Sequence, residues 1–445
     1  MNKNSQDIEK IKWLRSLIQK GYDDNDIVMG LPVKETTMAT IRQEIDKVHP
    51  YTISKASDGR YVTYVIEKKG GADKRKQIRK KSEEEIYLYL TEFYGLTDYV
   101  HKHCMPLSEL YTEWVAYKKK FIGASNRRKG LSPSTIRRYE RDYHKYLDGH
   151  KYMAIPICNV TTIALETFLY DLIQQYDLVE KSASNLLGYF RQSFEYARRA
   201  GYITDDPMEL LDKQLLLSTC RFVPPKKDDE RVLSVKELYD LRTSTLNHER
   251  IYPHYIADYA IELSIMTGMR VGEISALKWS CIDKDYINID FSEHRLDYSD
   301  RPSELAIGEP KNGKHRKVPL TADMKQLFSR VKALGHPTVD DFVFVTKEGA
   351  RCTGHDIGCA IKRRGEEVGI TKVSVHCVRR TVSSILRTTL PIKAVANMLG
   401  HLERTNEDFY NYDFSEDDAK KKALDSLSKV VQFQTNYLDK KVAGI

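Results

Sequence analysis

The sequence predicts a mainly α, multidomain fold with one small β-β-β-α unit near its N terminus. Three observations carry that expectation. The chain has 445 residues, enough for about three domains at roughly 150 residues each. Apolar residues recur at helical spacing through most of it, and only the stretch from Tyr51 to about Lys81 switches to strand alternation. Hydrophobic residues make up 41% and charged residues 30%, so cores can form and a disordered or collagen-like chain is excluded. There is no run of about 18 apolar residues to span a bilayer. The opening Met1-Asn2-Lys3-Asn4-Ser5-Gln6-Asp7 lacks the apolar core of a signal peptide. Cys104, Cys158, Cys220, Cys281, Cys352, Cys359 and Cys377 are dispersed and never spaced Cys-x-x-Cys. A disulfide framework or structural zinc site is therefore not expected, and the protein reads as cytoplasmic with reduced thiols.

Residues 1–50 read as a helical extension. Ile8, Ile11, Leu14 and Ile18 repeat at helical spacing, Gly21-Tyr22-Asp23-Asp24 interrupts them, and Thr36 to Asp46 resumes the period. The two segments together look like a helix-turn-helix, whose second helix would enter a major groove. Residues 51–98 form the β-β-β-α unit: Tyr51-Thr52-Ile53, a turn at Asp58-Gly59, then Tyr61 to Ile66, then a basic strand from Lys74 to Lys81. Ser82 and Glu85 make a capping box for a helix to about Tyr94.

Residues 105–215 read as a helical domain. Ser132-Pro133 sets an N-cap with proline at the first helical position, and Ile136, Tyr139, Tyr143 and Leu147 follow on one face. Leu186, Phe190, Phe194 and Ala197 form a second stripe, ended by Gly201. Residues 216–233 are the linker, with Pro224-Pro225-Lys226-Lys227-Asp228-Asp229-Glu230 at its centre. Ser234 and Glu237, a further capping box, open the last domain, residues 234–445.

The formal charge of +8 is unevenly placed. From Lys55 to Lys81 there are ten Lys/Arg against three Asp/Glu, and from Lys118 to Lys145 ten against two. One such run would be an ordinary solvated face. Two of them, each beside a folded segment and rich in tyrosine, fit double-stranded DNA, whose phosphates reward clustered cations through counterion release. Lys74, Arg75, Lys76 and Arg79 on the third strand, and Arg137, Arg138 and Arg141 on the helix after Pro133, are the expected contacts.

The last domain carries the residues with chemistry. The run Thr267-Gly268-Met269-Arg270-Val271-Gly272-Glu273-Ile274 ends one helix and opens another. Val375-His376-Cys377-Val378-Arg379-Arg380 opens a later helix with His376 and Arg379 at i and i+3, on one face by spacing. Met398-Leu399-Gly400-His401 follows, then Phe409-Tyr410-Asn411-Tyr412. Each piece alone has a dull explanation as a salt bridge, a chance pair or a core aromatic. Their order across about 140 residues is far more specific. Over residues 105 to 430 the chain resembles a tyrosine recombinase of the phage-integrase type.

That resemblance implies a helical core-binding domain at 105–215, followed by an α+β tyrosine-recombinase catalytic domain with a small antiparallel sheet. The 51–98 unit is similar to the arm-site-binding domains that precede many integrases. Phosphodiester attack builds charge on non-bridging oxygens, which Arg270 and Arg379 would meet with planar forks. His376 and His401 would donate hydrogen bonds or move protons, and Tyr410 would be the nucleophile. In this family a hairpin lysine protonates the leaving oxygen. Lys311 in Glu309-Pro310-Lys311-Asn312-Gly313-Lys314-His315-Arg316-Lys317-Val318-Pro319-Leu320 takes that place, with Lys314 as competitor. Tyr412 competes with Tyr410, and Glu273 resembles the acidic support of the first arginine.

No metal or other cofactor is implied, since the tyrosyl link conserves bond energy. The resemblance further implies a homotetramer on two duplexes, aided by a DNA-bending or directionality protein, in a bacterial prophage or conjugative transposon. The apolar stripe of Ala419, Ala423, Leu424, Leu427, Val430 and Val431 predicts a helix over about 415–433 that docks on a neighbouring protomer. A type IB topoisomerase and a non-catalytic DNA-binding regulator are the alternatives. A zinc hydrolase built on Cys352, His355, Cys359 and His376 fits no usual ligand spacing.

Overall fold

The structure, a computed structural model, describes residues 10, 12, 33–69, 72–123, 131–225, 227–310 and 313–400. The first helix of the expected helix-turn-helix and the 415–433 helix lie outside the described residues. So do Lys311, His401, Tyr410 and Tyr412. Two compact units divide between Pro224 and Pro225.

In the first unit, helix α1 (Val33–Val48) buries Met38, Ile41 and Ile45, spaced three and four apart. Strands β1 (Ser54–Lys55), β2 (Tyr61–Lys69) and β3 (Ala72–Lys80) form an antiparallel sheet in that order. The first strand thus falls at Ser54–Lys55 and not at 51–53 as expected. Thr52 gives its carbonyl to the Thr63 hydroxyl at 3.3 Å instead of to a strand ladder. The Asp58-Gly59 turn forms as expected, with Gly59 at φ 82°.

Helix α2 (Glu83–Phe93) follows with Ser82 as N-cap, its side chain accepting from Glu85 N–H at 3.3 Å. The expected capping box is only half made, because the Glu85 carboxylate takes the Lys81 N–H at 3.2 Å. Helix α3 (Thr97–Cys104) buries Val100 and Cys104 in the core shared by α1, β2, β3 and α2. Cys158, from the helical segment downstream, packs on this same core and sits 3.5 Å from Cys104 Sγ. The sheet unit and the helical body therefore share one compact unit.

That helical body comprises α4 (Leu107–Lys119), α5 (Pro133–Tyr146), α6 (Thr162–Gln175), α7 (Glu180–Arg199) and α8 (Lys213–Ser218). Trp114, Phe190 and Phe194 are fully buried at its centre, with Ile136, Tyr139, Leu147, Leu186 and Ala197 around them. Both apolar stripes read from the sequence face this core. Asp142 is buried here, accepting from Tyr189 Oη at 2.8 Å and from Arg141 at 2.9 Å. The body runs beyond residue 215: Leu216 is in its core, and Arg221 N–H reaches the Leu178 carbonyl at 2.9 Å.

The second unit starts with a single helical turn, α9 (Asp228–Arg231), inside the stretch read as linker. Leu233 is already fully buried, its N–H donated to Thr381 Oγ1 at 2.8 Å. Helix α10 (Val235–Ile251) opens with the Ser234–Glu237 capping box, both bonds present. Helix α11 (Ile256–Thr267) is buried continuously from Ile256 to Ser264, Asp258 and Glu262 included.

Short α12 (Val271–Ser275) leads to β4 (Tyr286–Ile289), β5 (Ser292–Leu296), β6 (Glu304–Gly308) and β7 (Arg316–Pro319). These make two antiparallel pairs, β4 with β7 and β5 with β6. Helices α13 (Ala322–Ala333), α14 (Gly354–Glu367), α15 (Val375–Arg387) and α16 (Ile392–Leu399) complete the described residues. The expected hairpin around 309–320 is therefore not a simple one. Its flanking strands β6 and β7 pair with different partners, and residues 309–315 connect two sheets.

Candidate active site

Two glycines shape the site. Gly268 ends α11 at φ 63° and Gly400 ends α16 at φ 71°, both left-handed and so open to glycine at little cost. Each leaves its carbonyl for an arginine from another segment. Arg379 donates through Nη1 to Gly268 O at 2.7 Å and through Nη2 to Leu399 O at 2.6 Å. Arg270, the N-cap of α12, donates through Nη2 to Gly400 O at 2.8 Å. Segments 130 residues apart thus meet on one helix C-terminus, whose carbonyls attract cations.

Glu273 anchors Arg270, taking its Nη1 at 2.9 Å and its backbone N–H at 2.9 Å. A third arginine, Arg316 at the start of β7, was given no role by the sequence reading. Its Nη1 and Nη2 fork onto both Glu273 oxygens at 2.9 and 2.5 Å, and its Nε reaches Met398 O at 2.8 Å. Burial pushes the Glu273 carboxyl up, but the Arg316 fork and the charges of Arg379 and Arg270 outweigh it and hold the group below its ordinary value. Three guanidiniums surround one carboxylate, so these four groups carry a net positive charge suited to an anion.

Arg379 is 1% exposed while His376, three residues before it on α15, is exposed. Ser374 caps this helix, accepting the Cys377 N–H at 3.1 Å, which fixes the turn that carries His376. The structure brings Arg270, Glu273 and Arg379 together around the Leu399–Gly400 turn. Lys314 is exposed. Among the described residues no group of three or more His, Cys, Asp or Glu is placed to hold a metal ion. A cavity of about 910 Å³ lined by His248, Tyr252, His355, Cys359 and Arg364 includes none of the three clustered arginines.

In the first unit the strand register splits the four expected contacts on β3. Arg79 stands opposite Val62 and Arg75 opposite Ile66, on the face that also carries Tyr64 and Gln77. Lys74 and Lys76 alternate to the other face, shared with buried Val65 and Ile78. Arg75 stacks on Tyr64 with its guanidinium 3.7 Å from the ring centroid, Lys76 pairs with Glu67 at 2.7 Å, and Arg79 with Asp58 at 3.5 Å. Tyr64, Gln77 and Lys68 share the Arg75 face, which only the strand register reveals. On α5, Arg137, Arg138 and Arg141 are all exposed.

Over the residues that carry this arginine-held turn, the chain is similar to tyrosine recombinases, enzymes of site-specific DNA recombination. Residues 235–414 match the Phage integrase family, which places the arginine cluster inside that family's domain. The chain is similar to the tyrosine recombinase XerD of Listeria monocytogenes, 24% identical over 296 residues, covering 64% of this chain and 89% of the relative. It is also similar to the tyrosine recombinase XerC of Pseudomonas syringae pv. tomato, 28% identical over 293 residues, covering 64% and 87%. Among solved structures, a fragment of the Tn1549 transposon integrase in complex with a circular intermediate DNA shares the fold, with a TM-score of 0.56 at 18% identity over 72% of this chain and 99% of that one. No helix among the described residues is long and apolar enough to cross a membrane.

Proposed function

We propose that this chain is the integrase of a mobile element, cutting and rejoining double-stranded DNA at core-type sites through a 3′-phosphotyrosyl link. The observation that carries the reading is the convergence of Arg270 and Arg379 on the Leu399–Gly400 turn, directly before His401. Arg270 and Arg379 clamp the non-bridging oxygens of the scissile phosphate. Tyr410 Oη attacks phosphorus as the bond to the 5′ oxygen breaks. Lys311 gives that oxygen its proton, while His376 and His401 donate to the phosphate or accept the tyrosine proton. Attack by a partner 5′-hydroxyl then reverses the step on the new strand.

Residues 105–215 clasp the core site, with Arg137, Arg138 and Arg141 on backbone phosphates. Residues 51–98 hold a separate arm site through the Arg75 and Arg79 face. Four protomers act on two duplexes, one strand pair at a time, in a bacterial cytoplasm with an accessory DNA-bending protein. The Tn1549 integrase fragments seen with circular intermediate and transposon right end DNA support the mobile-element setting. The test is to incubate the protein with element-end DNA in excess EDTA and without nucleotide. A covalent protein–DNA adduct is expected. No adduct, or one restored only by added metal, overturns the reading.

A further inference from the structure

Arg316 lies three residues before the β7 proline and holds a position no motif explains. We propose that Arg316 is a positioning residue for strand cleavage, keeping the Arg270 guanidinium, through Glu273, in register with the turn that leads into His401. The proposal rests on the recombinase reading above.

The geometry is specific. The Arg316 side chain is 7% exposed and its fork occupies both oxygens of a carboxylate that is itself fully buried. The same guanidinium spends Nε on Met398 O, while Arg270 holds Gly400 O two residues on. It also packs against Gly400, where a Cβ would meet Arg316 Nη1 at 3.0 Å. One side chain thus ties three segments together: α12 through Glu273, the start of β7 through its own backbone, and the end of α16. Without it Glu273 loses two of its four donors, and Arg270 is left to make the two hydrogen bonds that remain. Arg270 would be drawn toward the carboxylate and away from phosphate, and the last carbonyls of α16 would lose one of their three guanidiniums. Lysine cannot replace this arrangement, since an ammonium is a point donor and cannot fork onto a carboxylate while reaching a carbonyl.

The test compares parent, Arg316→Gln and Arg316→Lys in single-turnover cleavage of the same element-end duplex, once with an ordinary scissile phosphate and once with a methylphosphonate. The methyl group removes the oxygen charge that the Arg270 clamp neutralises. Arg316→Gln should bind the duplex within about threefold of parent and cleave the phosphodiester on the order of 100-fold more slowly. Its deficit on the methylphosphonate should be no more than about fivefold. Arg316→Lys should fall between, and it carries the comparison if Arg316→Gln fails to fold by its thermal midpoint. Parental cleavage of the phosphodiester overturns the proposal. An equal loss on both substrates, as a general weakening of the fold would give, overturns it too. In either case the parent still forms its adduct, so the recombinase reading stands. A parent that forms no adduct sinks both.

Discussion

The β3 face and the Arg270 site both present arginine, but they hold it in opposite ways. Arg75 and Arg79 are exposed, and their neighbours are a tyrosine ring and an ion pair of 3.5 Å. Such contacts at the surface contribute little and leave the side chains free to reorient. Arg379 and Arg316 are buried, with hydrogen bonds of 2.5–2.9 Å to carbonyls and carboxylate. A mobile cation suits a partner recognised through many phosphates, where released counterions drive binding. A fixed one suits a transition state, where donors must already be in place. Sharing one residue type, the two regions should therefore respond differently to the same substitution.

The sharpest separation comes from the nucleophile. Tyr410→Phe should lower cleavage by at least about 10³-fold while leaving DNA affinity near parent, because only the attacking oxygen is lost. A gel assay for the adduct checks it, and an adduct that survives Tyr410→Phe but not Tyr412→Phe transfers the role. Next comes Glu273→Gln, which strands buried guanidiniums and should cost about 3 kcal/mol of stability. Its pH signature is distinct. The folded-state pKa of Glu273 lies below the ordinary 4.5, so its stabilisation is complete above that value and is lost as pH falls through the folded pKa. Thermal midpoints taken from pH 6 down to about 3 should therefore drop less steeply for Glu273→Gln than for parent.

Smaller effects test the surface side. Arg75→Ala or Arg79→Ala should each lower the slope of log affinity against log salt on arm-type DNA by about one, with cleavage of core sites unchanged. Lys74→Ala and Lys76→Ala, on the opposite face, should change that slope less; equal effects would show that the sheet does not choose a face. Smallest are the helix caps. Ser234→Ala breaks a complete capping box and should cost about 1 kcal/mol. Ser132→Ala removes a cap with no side-chain bond and should cost only a few tenths by denaturant titration.

Periodicity was a good guide wherever burial followed sequence spacing. The stripes at Ile136–Leu147 and Leu186–Ala197, the Ser234 box and the break at Gly268 all express interactions within about four residues. What escaped depends on distant partners. Glu85 was placed in a box by its spacing, yet its carboxylate settled one residue upstream on Lys81. Leu216 and Leu233 sit in a stretch whose prolines and charges read as linker, and only the cores on either side reveal them as packed. Arg316 is one of five basic residues among the seven from Lys311 to Lys317, and nothing local separates a buried fork from a solvated charge. Its partner Glu273 is 43 residues away. Arg270, Glu273 and Arg379 stand out in the sequence because they repeat a known order, but the Arg316 contact beneath them does not.

The grip on Met398, Leu399 and Gly400 is made entirely through main-chain oxygens. Every amino acid supplies that oxygen, so the clamp places no chemical demand on the side chains at 398 and 399 beyond those of helix packing. Gly400 is different, held by its left-handed backbone and by the Arg316 side chain pressed against it. In a library of substitutions across this turn, tolerance should therefore be graded: broad at half-buried Met398, limited to apolar residues of similar size at buried Leu399, and close to nil at Gly400. An active site built on backbone can drift in sequence around a single invariant hinge point while its arginines keep hold.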